Sequence, residues 1–245
     1  MGVAACQTVP VTGRSQLLLV SEADEVRMGV QSYQEVLRKA KISTDPALNE
    51  QIRRVGTRIA AATSRNDLQW EFKVVEDQQA NAFALPGGKV AVYTGILPIT
   101  RDDTGLAAVM GHEVAHVIAR HGAERLSQDL LVNVGLAGTL TALSNRDPKI
   151  VQSVGALLGA GASVGLLLPW GRSQESEADH LGLIYMAKAG YDPRAARDLW
   201  VRMAETSKGS GKPPEFLSTH PSEATRIKQI DGWLPEAMQY YRPNR

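Results

Sequence analysis

A single cysteine, Cys6, occurs in 245 residues, so an internal disulfide and a cysteine-based zinc site are both excluded. An excess of one charge is missing too. The 27 Lys and Arg residues face 26 Asp and Glu, a formal net charge of +1, which gives neither the basic footprint of a nucleic-acid binder nor a polyanionic tail. Aromatic residues are sparse at 5% while glycine occurs 22 times, a balance that favours closely packed helices. No internal repeat or low-complexity tract is present. Residues 130 to 144 and 150 to 168 carry no charged residue. The first is too short to span a bilayer, and the second is interrupted by Gly155, Gly159, Gly161 and Gly165. They are expected to form a helical pair that is buried or covers substrate, with shallow membrane contact as the alternative.

The length fits one domain with a substantial core. Residues 1 to 20 are expected as a tail and linker, and residues 21 to 245 as a single domain. Ser21-Glu22-Ala23-Asp24-Glu25 predicts a helix start running to about Ala40. Asp45-Pro46 predicts a second helix, with Leu48, Ile52, Val55 and Ile59 on one stripe. Between Trp70 and Glu76 the pattern alternates with period two, and Pro86-Gly87-Gly88 separates Asn81-Ala82-Phe83-Ala84 from Lys89-Val90-Ala91-Val92-Tyr93, which reads as a hairpin. The remainder is helical in character, with Asp102 or Asp103 as a helix cap and a surface loop expected over Ser207 to Pro214. The fold class is therefore α+β, mainly helical, with a small sheet.

Chemistry enters at His112-Glu113-Val114-Ala115-His116. Two histidines four residues apart project from one face of a helix and can hold one metal ion, while the glutamate between them can take a proton from water activated there. A catalytic zinc site usually needs a third protein ligand. The longer H-E-x-x-H-x-x-G-x-x-H form is absent, because Ala119 and Gly122 occupy its glycine and histidine places. His121 then reads as a helix-end surface residue. Glu175, Ala178, Asp179 and Gly182 share one helical face. Small Ala178 and Gly182 let that helix lie against the histidine helix, so that Glu175 can bind the metal and Asp179 can accept a hydrogen bond from a ligand imidazole. Glu177 is expected to point away into solvent, and His180 to be structural.

These residues, with Asn81 to Gly88 upstream and Ser218-Thr219-His220-Pro221 downstream, resemble metallopeptidase family forty-eight, a group of gluzincins; the likeness extends over about residues 22 to 235. The resemblance implies a zincin-like fold and one Zn2+ per chain, held by His112, His116 and Glu175, with Glu113 as general base and Asp179 supporting a ligand. His220 would then either donate to the tetrahedral intermediate or occupy the open metal position and keep the enzyme latent. Arg226 would either stabilise the oxyanion or form a salt bridge in the last helix. An exposed strand edge, from Asn81, Ala82, Phe83 and Ala84 or from Lys89 to Tyr93, would hold extended substrate by main-chain pairing. The expected activity is endoproteolysis of unfolded or misassembled envelope proteins. A non-proteolytic chaperone of the same fold and a hydrolase of non-peptide substrates are the rivals. Val3-Ala4-Ala5-Cys6 resembles the end of a bacterial lipoprotein signal, which predicts a lipid on Cys6 and a periplasmic, outer-membrane location, against a free thiol on a frayed tail.

Overall fold

The computed structural model describes residues 5–129, 131, 167–210, 216, 217, 220 and 224–243. The expected helical pair over 130 to 168 therefore falls almost wholly outside the described residues. Among those described, helices dominate and two small sheets accompany them.

Local sequence explains the first two helices. Helix α1 (Glu22–Lys39) starts where the Ser21 side chain accepts from the Asp24 amide, with Glu22, Asp24 and Glu25 in its first turn and Arg38 and Lys39 in its last, matching the helix dipole. In α2 (Pro46–Ala62) Asp45 caps the amides of Ala47 and Leu48 and Pro46 opens the first turn; Ile52, Val55 and Ile59 form its buried stripe.

The three-stranded sheet has the order β3 (Glu71–Val75), β5 (Lys89–Tyr93), β4 (Ala82–Leu85), with β3 parallel and β4 antiparallel to β5. Gly87 and Gly88 take positive φ values of 86° and 78° in the β4–β5 turn. Lys89 to Tyr93 is thus the central strand and offers no edge, contrary to one sequence expectation. Residues 41 to 43 run along the outer side of β3, through Ser43 N–H to Val74 O at 2.9 Å and Glu76 N–H to Lys41 O at 2.7 Å. The remaining sheet edge is β4.

Residues 7 to 20, read as a linker, are built into the fold. Strands β1 (Ala5–Thr8) and β2 (Ser15–Leu18) pair as an antiparallel hairpin, and Val9 and Leu18 are buried. The hairpin also bonds inward: Gln16 donates to Ala119 O at 2.9 Å, and Leu19 N–H donates to Ser127 at 2.8 Å.

After the short helix α3 (Leu97–Thr100), α4 (Asp103–Ile118) forms the centre of the molecule. Asp102 is its cap, accepting from Thr104 and Gly105, whereas Asp103 pairs with Arg54. Every residue from Gly105 to Ala115 is buried, as expected for a helix apolar nearly all round. Helix α5 (Leu167–Lys188) crosses it, and α6 (Arg194–Ser210) and α7 (Ala224–Tyr240) complete the described layer. Ser207 to Ser210, expected as loop, lie in α6. No helix among the described residues is long and apolar enough to cross a membrane.

The α4–α5 crossing is backbone against backbone. A methyl group on Gly182 would sit 3.0 Å from both Gly111 C and His112 N, and one on Gly111 would sit 3.0 Å from Gly182 O. Main chain cannot give way as a side chain can. Gly182→Ala is therefore expected to lower stability by about 1–3 kcal/mol, measured as the urea midpoint at unchanged m-value; an unaltered midpoint would show that the two helices separate freely.

Candidate metal centre

Helical spacing puts His112 and His116 one turn apart on α4, and Glu175 and Asp179 one turn apart on α5. The glycine crossing brings the two pairs together. His116 Nε2 lies 3.1 Å from His112 Nε2, and Glu175 places Oε2 3.3 Å from His112 Nε2 and Oε1 3.3 Å from His116 Nε2. Donors bound at about 2.0–2.1 Å to a tetrahedral ion lie about 3.3 Å from one another, so these three side chains have the spacing of a ligand set. His220 adds a fourth donor, its Nδ1 standing 3.0 Å from Glu175 Oε1 and 3.2 Å from His112 Nε2. Ligand atoms of His112, His116, Glu175 and His220 all fall within 4.8 Å of each other.

The outer contacts favour metal over a neutral hydrogen-bonded cluster. His112 Nδ1 lies 3.0 Å from Asp179 Oδ1. A carboxylate only accepts, so Nδ1 carries a proton, and in the neutral ring Nε2 presents a lone pair to the cluster. Imidazole nitrogens facing a carboxylate at this distance call for positive charge between them, a bound cation or a proton on a ring. The titration of the groups expresses the same demand. Burial works to lower His112, yet its bonds to Asp179 and Glu175 push it up to about 9. Burial likewise favours a neutral Glu175, but His112, His116 and His220 hold its carboxyl well below the usual range. His116 is driven below its ordinary value, chiefly by burial.

Glu113 points to the same place from α4. It is 3% exposed, and burial raises its carboxyl, an effect the charges of His220 and His112 oppose. Its Oε2 accepts from the Ala84 amide on β4 at 3.2 Å. Oε1 is buried with no hydrogen bond among the described residues, although His220 Nε2 is 3.2 Å away.

Arg226 lies behind Asp179 and Glu175. It donates to both Asp179 oxygens at 2.7 Å and to Glu175 Oε2 at 3.1 Å, and its guanidinium stacks 3.6 Å from the Trp200 ring centroid. This is the salt-bridge alternative, and the oxyanion role for Arg226 is set aside because its donors face carboxylates. Despite burial, Arg226 and His112 keep Asp179 below its ordinary range.

Two residues read as peripheral belong to the cluster. His121 is 2% exposed, with Nδ1 2.9 Å from His116 Nδ1 and Nε2 3.0 Å from Glu177 Oε2. On a continuous helix, residue i+5 lies about 140° from residue i, so His121 would face away from His116 if the helix ran on. The helix breaks at Ala119, and Arg120 takes a left-handed φ of 57°, turning His121 back toward His116. Glu177, expected in solvent, is 6% exposed because the N-terminal hairpin covers that face of α5. It accepts from Thr12, and from Arg14 Nε at 2.8 Å. Burial favours its protonation, but His121, Thr12 and Arg14 hold it at about 2. His180 pairs with Glu236 at 2.7 Å and stacks on Trp233, away from the ligands. Cys6 is exposed on β1.

Comparison with known proteins agrees with this chemistry. The model of Peptidase family M48 matches residues 46–234, which include His112, His116, Glu175 and His220. The mitochondrial metalloendopeptidase OMA1 of Schizosaccharomyces pombe is 42% identical over 94% of this chain and 66% of its own length. The Saccharomyces cerevisiae protein of the same name is 34% identical over 95% of this chain and 70% of its own. The beta-barrel assembly-enhancing protease of Escherichia coli K12 is 28% identical over 91% of this chain, which spans only 46% of that relative.

Asp179→Asn removes the obligate acceptor of the His112 Nδ1 proton. Zinc affinity, measured by competition with a chromophoric chelator, is expected to fall about 10- to 100-fold; affinity equal to wild type would show that His112 is oriented without it.

Proposed function

This chain belongs to peptidase family M48, and on that premise we propose that it is a zinc-dependent endopeptidase acting on unfolded or misassembled proteins of a bacterial cell envelope. The observation that carries the reading is the 3.1–3.3 Å triangle of His112 Nε2, His116 Nε2 and Glu175, with Glu113 Oε1 buried beside it. Two ligands on one helix and a glutamate from a second make the gluzincin arrangement. Zinc bound there supplies a Lewis acid that polarises a carbonyl and acidifies water.

The chain's own residues do the rest. Glu113 Oε1 is the atom that accepts the proton of the attacking water, and burial, by raising its pKa, equips it to hold that proton and pass it to the leaving amine. The Ala84 amide, bonded to Oε2, fixes the carboxylate and joins it to the edge strand. Tyr93 N–H donates to Asn81 O at 3.0 Å, so by antiparallel alternation Phe83 faces β5 while Ala82 and Ala84 turn their main chain outward. An extended polypeptide laid along β4 would meet the Ala82 and Ala84 carbonyls next to Glu113, the two amides being bonded to Asn81 Oδ1 and Glu113 Oε2. Backbone pairing reads little sequence, which suits broad specificity limited by access.

His220 gives the resting state. It stands at the fourth vertex of the cluster, stacked on buried Phe216 at 4.6 Å between ring centroids, with its amide bonded to Phe216 O at 2.8 Å. Phe216 in turn bonds Ala80, just before β4. A histidine in that position would fill the fourth vertex of a bound metal and exclude water, which supports the latent role for His220 over the donor role.

The Val3-Ala4-Ala5-Cys6 pattern supports lipid attachment at Cys6. Val9, three residues on, is already buried, so a lipid there would hold the body close against the membrane. The mitochondrial relatives define the competing compartment.

Glu113→Gln separates a protease from a chaperone of the same fold. Zinc content is expected to be unchanged while casein cleavage falls about 10²–10⁴-fold; full cleavage by the variant would remove Glu113 from the reaction. In the wild type, a chelator should stop cleavage and added zinc restore it. His220→Ala is expected to raise kcat/KM at least several-fold by freeing the fourth position, whereas a fall would make His220 a donor to the intermediate.

A further inference from the structure

The geometry points to His121 and Glu177 as positioning residues for the metal ligand His116, locked in place by Thr12 and Arg14 of the N-terminal hairpin. This rests on the zinc reading above but concerns different residues.

The protons can be assigned from the partners. Glu177 Oε2, 3.0 Å from His121 Nε2, can only accept, so that nitrogen carries the proton and His121 Nδ1 is left with a lone pair. His121 Nδ1 and His116 Nδ1 are 2.9 Å apart, and such a contact needs one donor. His116 Nδ1 must therefore be protonated, which leaves its Nε2 bare toward Glu175 and His112. A carboxylate two residues from the ligand Glu175 thus sets the tautomer of the second histidine through an intervening imidazole. Asp179 does the same for His112 directly.

Each outer carboxylate is backed by an arginine. Arg226 serves Asp179, and Arg14 serves Glu177 while also donating to Glu124 at 2.5 and 2.9 Å. Gln174 holds Glu124 from the other side at 2.7 Å. The turn that presents Thr12 and Arg14 is tightly formed, with Val9 N–H to Arg14 O at 2.8 Å and Gly13 N–H to Val9 O at 3.1 Å. It also holds Val11 at a φ of 70°, a costly conformation for a β-branched residue.

The alternative is a buried polar network that serves stability alone, and zinc affinity separates the two. Wild type, His121→Phe, Glu177→Gln and the double variant of the full chain are titrated with zinc against a chromophoric chelator, and the urea midpoint of each metal-free protein is measured. His121→Phe is expected to bind zinc about 10- to 100-fold more weakly. Glu177→Gln should shift the same way, and the double variant should be no weaker than His121→Phe, because both act through one contact. Wild-type zinc affinity in His121→Phe, with only the metal-free midpoint lowered, would overturn the proposal. If the variants do not fold, 15N NMR of the zinc-loaded wild type decides. A proton on His121 Nε2 with Nδ1 bare supports the assignment, and a proton on Nδ1 overturns it. A wild-type chain that takes up no zinc would bring down the metalloprotease reading as well, a result distinct from loss of this link alone.

Discussion

The crossing of α4 and α5 at Gly111 and Gly182 sets the distance on which everything else depends. Main chain meets main chain there, with a methyl group on Gly182 only 3.0 Å from His112 N. A larger residue at either glycine would push the helices apart, whereas ligands on opposite helices tolerate only a few tenths of an ångström before a tetrahedral ion no longer fits. Packing density and coordination geometry are thus the same requirement. It is met one residue away from His112, where error in helix placement has least leverage.

Burying this much charge is costly unless each group is paired. The solution is layered. Helix α5 supplies Glu175 to the cluster and places Glu177 and Asp179 on either side of it, Asp179 behind His112 and Glu177 behind His116 through His121, each in front of an arginine. The arrangement fixes the ring orientations and leaves a demand for positive charge at the centre, which His112 answers with a proton in the absence of metal. A metal bound there would take the place of that proton. The N-terminal hairpin is part of this layer, because it both covers the Glu177 carboxylate and supplies Thr12 and Arg14 as its donors beside His121.

Periodicity in the sequence made much of this legible. The four-residue spacing of His112 and His116 and of Glu175 and Asp179, and the small residues at 178 and 182, follow directly from a 3.6-residue turn. The capping residues Ser21, Asp45 and Asp102 marked helix starts for a local reason, since each bonds amides two or three positions on. His121, Glu177 and the hairpin were misplaced because their environments are made by distant chain. Arg14 reaches Glu177 across 163 positions, and His121 reaches His116 only because the helix breaks at Arg120. The solvent expected around Glu177 is replaced by a segment that reads as a linker when taken alone. For Arg226, the family resemblance left an oxyanion role and a salt bridge open, and the positions of Asp179 and Glu175 separate them.

The central claim is that one divalent cation is held between two histidines of α4 and a glutamate of α5. Anomalous diffraction at the zinc edge from crystals of the zinc-loaded chain tests it most directly. A single peak per chain, about 2.0–2.2 Å from His112 Nε2, His116 Nε2 and a Glu175 oxygen, is the predicted result. A peak elsewhere, or none at that position at full zinc occupancy of the protein, would contradict the account.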